Sequence, residues 1–122
     1  TYLFVAHDLS VVRYFCDRVI VMYLGRVVEL APVESLFEHP LHPYTSALMK
    51  AVPEADPARR AAMVPLEGEV PSPANPPAGC HFHPRCPFAI EACRTRMPDF
   101  EEVGEGRKVR CHRAAELDLA GV

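Results

Sequence analysis

The sequence predicts an α/β fold followed by an irregular extension, and three observations carry that prediction. Short apolar runs at residues 2–6, 18–23 and 26–30 are separated by a segment of helical period. Prolines are unevenly spread: of 13 in the chain, Pro65, Pro71, Pro73, Pro76, Pro77, Pro84 and Pro87 crowd one stretch. Such a stretch cannot be regular helix or central strand, because each proline fixes φ and removes a backbone donor. Finally, Cys80, Cys86, Cys93 and Cys111 gather near the C-terminal end, among His81, His83 and His112.

Residues 2–6 (Tyr-Leu-Phe-Val-Ala) are apolar without interruption, as in a strand buried on both faces of a parallel sheet. Asp8 or Ser10 can cap the helix that follows. Leu9, Val12, Cys16 and Val19 recur at three- and four-residue steps and give it one apolar face. On the other face Arg13 and Asp17 stand four apart, a minor stabilising pair. Residues 18–23 read as a second buried strand. Leu24-Gly25 turns the chain, and residues 26–30 return as a strand with Glu29 facing outward.

Pro32 stands where an N1 proline would open a helix over 33–37, and His39-Pro40 ends it. Pro43 opens another, with Tyr44, Ala47, Leu48 and Ala51 on one stripe, and Pro53 closes it. Residues 54–63 read as a linker or short surface helix. This divides the chain into 1–38, a helical connector at 39–64, a cysteine-rich extension at 65–113 and a tail at 114–122.

A net charge of -3 gives no hint of nucleic-acid binding. Arg94, Arg96, Arg107, Lys108, Arg110 and Arg113 read as a solvated face balanced by Glu101, Glu102 and Glu105. No apolar run approaches the roughly 20 residues that span a bilayer. The start has no charged region or cleavage site of a secretory signal, and it has no Met. It opens almost inside a strand, so further N-terminal sequence is expected to complete the sheet.

Two groups of residues carry chemistry. His7 follows an apolar strand, where open α/β sheets place ligands, and an imidazole there can donate to a phosphate oxygen. On position alone, a capping or solvated histidine is the commoner outcome. The four cysteines, with prolines and glycines between them, suit a [4Fe–4S] cluster or zinc. No Cys-x-x-Cys pair is present, so the spacing is not that of a zinc ribbon. Zinc with His81, His83 or His112 replacing one thiolate stays open, as do plain thiols or incidental disulfides. Phe82, Phe88 and Phe100 are expected to pack over the block. His39 and His42 are expected to cap helices or meet solvent. Cys16, on the apolar helix face, reads as a core thiol.

The strings Val5-Ala6-His7-Asp8-Leu9-Ser10, Asp17-Arg18-Val19-Ile20-Val21-Met22 and Gly25-Arg26-Val27-Val28-Glu29 resemble the end of an ABC-transporter ATPase domain. The resemblance implies that 1–38 closes a P-loop ATPase core and that His7 is its switch histidine, which contacts the γ-phosphate of ATP. Phosphoryl transfer depends mainly on positioning and electrostatics, so one placed donor matters.

The segment Leu36-Phe37-Glu38-His39-Pro40-Leu41-His42-Pro43-Tyr44-Thr45 resembles the stretch after the core in oligopeptide/dipeptide importers. So do Gly68-Glu69-Val70-Pro71 and the block from Gly79 through Cys93. The importer resemblance implies a [4Fe–4S] cluster on Cys80, Cys86, Cys93 and Cys111. It also implies ATP with magnesium in a longer parent protein, a second ATPase subunit, membrane permease subunits, and a peripheral place on the cytoplasmic face of the membrane. In Leu30-Ala31-Pro32 the sequence departs from the acidic residue and glycine expected there, which affects only a turn.

No Gly-x-x-x-x-Gly-Lys-Ser/Thr, no Leu-Ser-Gly-Gly-Gln-like string and no acidic strand end before His7 is present. By itself this chain is therefore expected neither to bind nor to hydrolyse ATP well. The alternative from a different class is a stand-alone cysteine-rich module that binds zinc or an iron–sulfur cluster and has no ATPase activity.

Overall fold

The computed structural model describes residues 1–52 and 66–121. Pro53, the 54–63 segment and the boundary expected at 65 lie outside the described residues.

Helix α1 (Leu9–Phe15) begins where the sequence places a cap: the Asp8 carboxylate accepts the Ser10 N–H at 2.9 Å and the Val11 N–H at 3.4 Å. Strand β1 (Arg18–Tyr23) and strand β2 (Arg26–Pro32) form an antiparallel hairpin. Its two-residue turn needs both Leu24 and Gly25 at positive φ, 44° and 74°. That geometry matches the twist of the strands. Helix α2 (Val33–Glu38) follows directly, with Pro32 as its N-cap and His39 as its C-cap. Helix α3 (Pro43–Lys50) has His42 as its N-cap and Pro43 in its first turn.

The extension is less irregular than its prolines suggest. Over its described residues it contains a 3-10 turn at His83–Arg85, helix α4 (Glu91–Thr95), strand β3 (Glu101–Gly104) and strand β4 (Arg107–Val109). Strand β4 pairs with β2, giving one four-stranded antiparallel sheet in the order β1-β2-β4-β3. The prolines leave room for this because none lies between Pro98 and the end of β4.

Five expectations need correction. Residues 2–6 form no strand, and Tyr2, Leu3 and Val5 are exposed. Among the described residues no parallel neighbour is available to take their backbone hydrogen bonds. Strand β1 is buried on one face only: Val21 and Tyr23 point inward, whereas Ile20 and Met22 are half exposed. Among the described residues Arg13 makes no ion pair with Asp17. Its guanidinium lies over the Phe37 ring, 5.2 Å from the centroid. The tail at 114–122 is docked over its described part, with Leu119 buried and the Ser46 hydroxyl donating to the Ala120 carbonyl at 2.9 Å.

Glu29 is the largest departure. It is fully buried, not outward-facing. The hairpin carries a bulge: Val21 opposes Glu29 and Met22 opposes Val27, so Val28 is the extra residue. A bulge re-aims side chains, and here both Val28 and Glu29 end up buried.

The core gathers Val12, Val21, Tyr23, Val28, Ala31, Leu36, Phe37, Met49 and Phe82. Phe82 comes from the extension. Its ring meets Tyr23 at 5.2 Å and Tyr44 at 5.4 Å, so the cysteine-rich segment shares the core of the hairpin.

Candidate functional site

Cys80, Cys86, Cys93 and Cys111 line one pocket, together with His42, Phe82, His83, Phe88, Pro98, His112 and Leu117. Each cysteine reaches it from a different local structure. Cys80 follows Gly79, Cys86 caps the 3-10 turn, Cys93 sits in α4, and Cys111 comes just after β4.

Gly79 joins the first limb to the third. Its φ is +70°, and a Cβ there would overlap the backbone at Cys93 and Arg94. This close approach lets the Cys80 N–H donate to the Cys93 carbonyl at 2.8 Å.

Backbone N–H groups turn toward three of the sulfurs. Arg113 N–H donates to the Cys111 sulfur at 3.4 Å. Phe82 and His83 N–H groups face Cys80, and Phe88 N–H faces Cys86. In each case a donor comes from two residues downstream of the cysteine. Such donors stabilise negative charge on sulfur. Burial works against that charge and pushes the Cys86 and Cys111 thiols up to about 11. Cys80 shifts the same way, chiefly from burial. A metal that binds here must displace protons.

All five cysteines are free thiols, so no disulfide forms. Among the described residues, no group of three or more His, Cys, Asp or Glu is disposed to hold a metal ion. Zinc needs its donors to meet at one point, with sulfur about 2.3 Å away. The void between the lining side chains is about 20 Å³, room for about one water. A larger group therefore requires the loop limbs to part.

The neighbouring histidines have defined roles. His83 Nδ1 lies 2.8 Å from the Cys80 carbonyl, and His112 Nε2 lies 2.7 Å from the Arg96 carbonyl. A carbonyl only accepts, so those nitrogens carry the hydrogens, leaving the other nitrogen of each neutral ring as an acceptor. His81 is shifted downward, first by burial and then by the Arg26 charge.

His42 was expected to cap a helix or meet solvent, and it does the first only. It is buried, and its Nδ1 accepts the Tyr44 N–H at 3.1 Å. Burial pushes it down to about 4, with the Arg110 backbone carbonyl acting the other way. Its own backbone N–H donates to Glu29 Oε2 at 3.0 Å, and the Leu41 N–H donates to Oε1 at 2.9 Å. Arg107 completes this node, with its Nη2 3.3 Å from Glu29 Oε1 and also donating to the His39 carbonyl. Glu29 and His42 were missed as site-supporting residues. The available signals were a carboxylate between valine and leucine, and a histidine directly before the Pro43 of a helix start.

Of the three phenylalanines, Phe82 and Phe88 line the pocket, whereas Phe100 does not and stacks under Arg110 at 5.4 Å. Cys16 is partly buried against the core. His7 is exposed, lies just before the α1 cap and takes no part in the cysteine pocket. No helix among the described residues is long and apolar enough to cross a membrane.

Comparison with known proteins gives these features a context. Residues 28–93 match the family described as "Oligopeptide/dipeptide transporter, C-terminal region". The match runs from the bulge in β2 to Cys93. The Sinorhizobium fredii protein named "Probable peptide ABC transporter ATP-binding protein y4tS" is 57% identical over 120 residues, covering 98% of this chain and 34% of its own length. The "Oligopeptide transport ATP-binding protein AppF" of Bacillus subtilis is 51% identical over 115 residues, 92% of this chain and 35% of its own. The "Di/tripeptide transport ATP-binding protein DppF" of Pseudomonas aeruginosa is 46% identical over 116 residues, 95% and 36%. The chain thus spans about a third of the length of these relatives. With the family model matching more than half of its residues, the chain belongs to the oligopeptide/dipeptide transporter C-terminal region family.

Proposed function

We propose that this chain is the C-terminal part of an ATP-binding subunit that energises peptide import across a membrane, and that its four cysteines hold a [4Fe–4S] cluster. The convergence of Cys80, Cys86, Cys93 and Cys111 on one pocket, with backbone donors facing three of their sulfurs, carries the cluster reading. The donor set fits by chemistry. Thiolates are the usual ligands of such clusters, and a cluster accepts them at separate irons instead of one shared point. Bound there, the cluster would cross-link four loop limbs through iron–thiolate bonds and supply folding free energy.

The names of the relatives support the transport reading over that of a stand-alone module. In that reading His7 acts as the switch histidine at the γ-phosphate of ATP, with magnesium. The remaining ATP-binding parts come from elsewhere in the subunit. The subunit works on the cytoplasmic face with a second ATPase subunit and a permease, and no nucleic acid is involved.

The test is purification without oxygen, followed by iron, sulfide and zinc analysis and a visible spectrum. Iron and sulfide near four each per chain, with broad brown absorption, is the expected result. Zinc without iron moves the site to a Cys/His ion, and no metal removes the cluster reading. For His7, substitution by alanine in the full ATP-binding subunit should abolish hydrolysis while leaving ATP binding. Retained hydrolysis would exclude the switch role.

A further inference from the structure

Leu117 forms part of the wall of the cysteine pocket, and the residues after it leave the pocket and dock on two helices. A turn sets Leu117 there: the N–H groups of Glu116 and Leu117 both bond the Arg113 carbonyl, at 3.0 and 3.1 Å. Arg113 holds the turn from its side chain, donating to the Glu116 carboxylate at 2.9 Å and to the Phe88 carbonyl at 3.1 Å. Residues 118–121 have no regular secondary structure, so only tertiary ties hold them. Leu119 is buried. The Ser46 hydroxyl on α3 donates to the Ala120 carbonyl at 2.9 Å. Gly121 lies so close to the Phe37 and Glu38 carbonyls, at the end of α2, that a Cβ would overlap them. The segment lies beyond the 28–93 family match.

We propose that residues 116–121 are a strap across the cysteine pocket, with Leu117 as its closing side chain, and that docking of 119–121 on α2 and α3 sets how fast small molecules reach the four sulfurs. The void inside the walls is about 20 Å³, room for about one water. A reagent therefore reaches sulfur only when a wall moves. Phe82 is locked in the core against Tyr23 and Tyr44, whereas Leu117 hangs on the turn and on the ties that follow it. Segments held by few contacts are the first to open. As a guard for a cluster, the strap rests on the reading above. As a barrier to the sulfurs it stands without it, because iron, zinc and free thiols sit behind the same wall.

The test is labelling of the chain, as purified without oxygen, by a small neutral maleimide, with mass spectrometry assigning the label to each cysteine. Cys16 is the internal reference, since it packs on the core and does not line the pocket. Leu117→Ala thins the wall, and Gly121→Val undocks the strap end. Each should speed labelling of Cys80, Cys86, Cys93 and Cys111 about tenfold, with Cys16 unchanged. Ser46→Ala, which removes one hydrogen bond, should speed it roughly fivefold. Wild-type rates in Leu117→Ala or Gly121→Val would overturn the strap, and so would equal acceleration at Cys16, which marks general loosening. Iron, sulfide and zinc analysis of the same samples judges the cluster reading separately: a wild type without iron removes that reading, while the labelling ratios still decide the strap.

Discussion

The two hairpins of the sheet are held by different forces. The β1–β2 hairpin buries Val21, Tyr23, Val28 and Ala31 against α2 and the rest of the core. Its stability comes from apolar area removed from water. The β3–β4 hairpin buries almost nothing on β3, whose four residues are all exposed. It is held by arginines. Arg18 reaches from β1 to the Gly106 carbonyl at 3.2 Å. Arg107 joins Glu29, and Arg110 donates to the carbonyls of Val27 and Pro98, each at 3.0 Å. Apart from the buried Val109, the β3–β4 hairpin is therefore attached through directional polar bonds, which fix register well but fail singly when one partner is removed.

That contrast can be broken by substitution. Glu29→Ala should have the largest effect, about 3–5 kcal/mol, because it takes the counter-charge from a half-buried arginine and the acceptor from two backbone N–H groups. Denaturant titration would measure it, and a loss below about 1 kcal/mol would show that the node is not what joins the hairpins. Leu36→Ala, on the apolar side, should cost about 3 kcal/mol through transfer and cavity terms, since Leu36 is fully buried. Unlike Glu29→Ala, its effect should be insensitive to salt.

Gly79→Ala should cost about 2 kcal/mol and disturb Cys80, because the positive φ and the backbone of Cys93 both oppose a Cβ. Melting should fall, and on the cluster proposal iron content should fall with it. Retained metal with lowered melting would separate the loop from the site. Arg110→Met should cost about 1–2 kcal/mol from its two carbonyl contacts and the Phe100 stack. Amide exchange should then quicken in β4 before β1. Gly25→Ala should be the mildest, about 1 kcal/mol, because only the φ of +74° resists it and nothing lies within 4 Å of the new methyl.

Local signals in the sequence were read well. The Asp8 cap, the β1–β2 hairpin with its Leu24-Gly25 turn, the helix starts near Pro32 and Pro43, and the stop at His39 all depend on residues within a few positions. Proline's fixed φ and the cap hydrogen bonds act at that range. The four cysteines were also legible as one group, because their density alone sets them apart.

What sequence reasoning mistook depends on distant partners. Glu29 looks outward by alternation, but a bulge turns it inward, where Leu41, His42 and Arg107 wait from elsewhere in the chain. Arg107 and Arg110 look like solvated charges and are stitches between strands. The run at 2–6 looks buried and is exposed, because a strand needs neighbours that the described residues do not supply.

The sequence by itself determined most of the local elements, the family and the grouping of four cysteines. Only the tertiary structure decided that β4 joins β2, that Phe82 enters the common core, and that His42 lines the cysteine pocket. The physical reason is range: capping, turn and proline effects are fixed by neighbours in the chain, whereas strand pairing and the partner of a buried polar group are fixed only when the chain closes on itself.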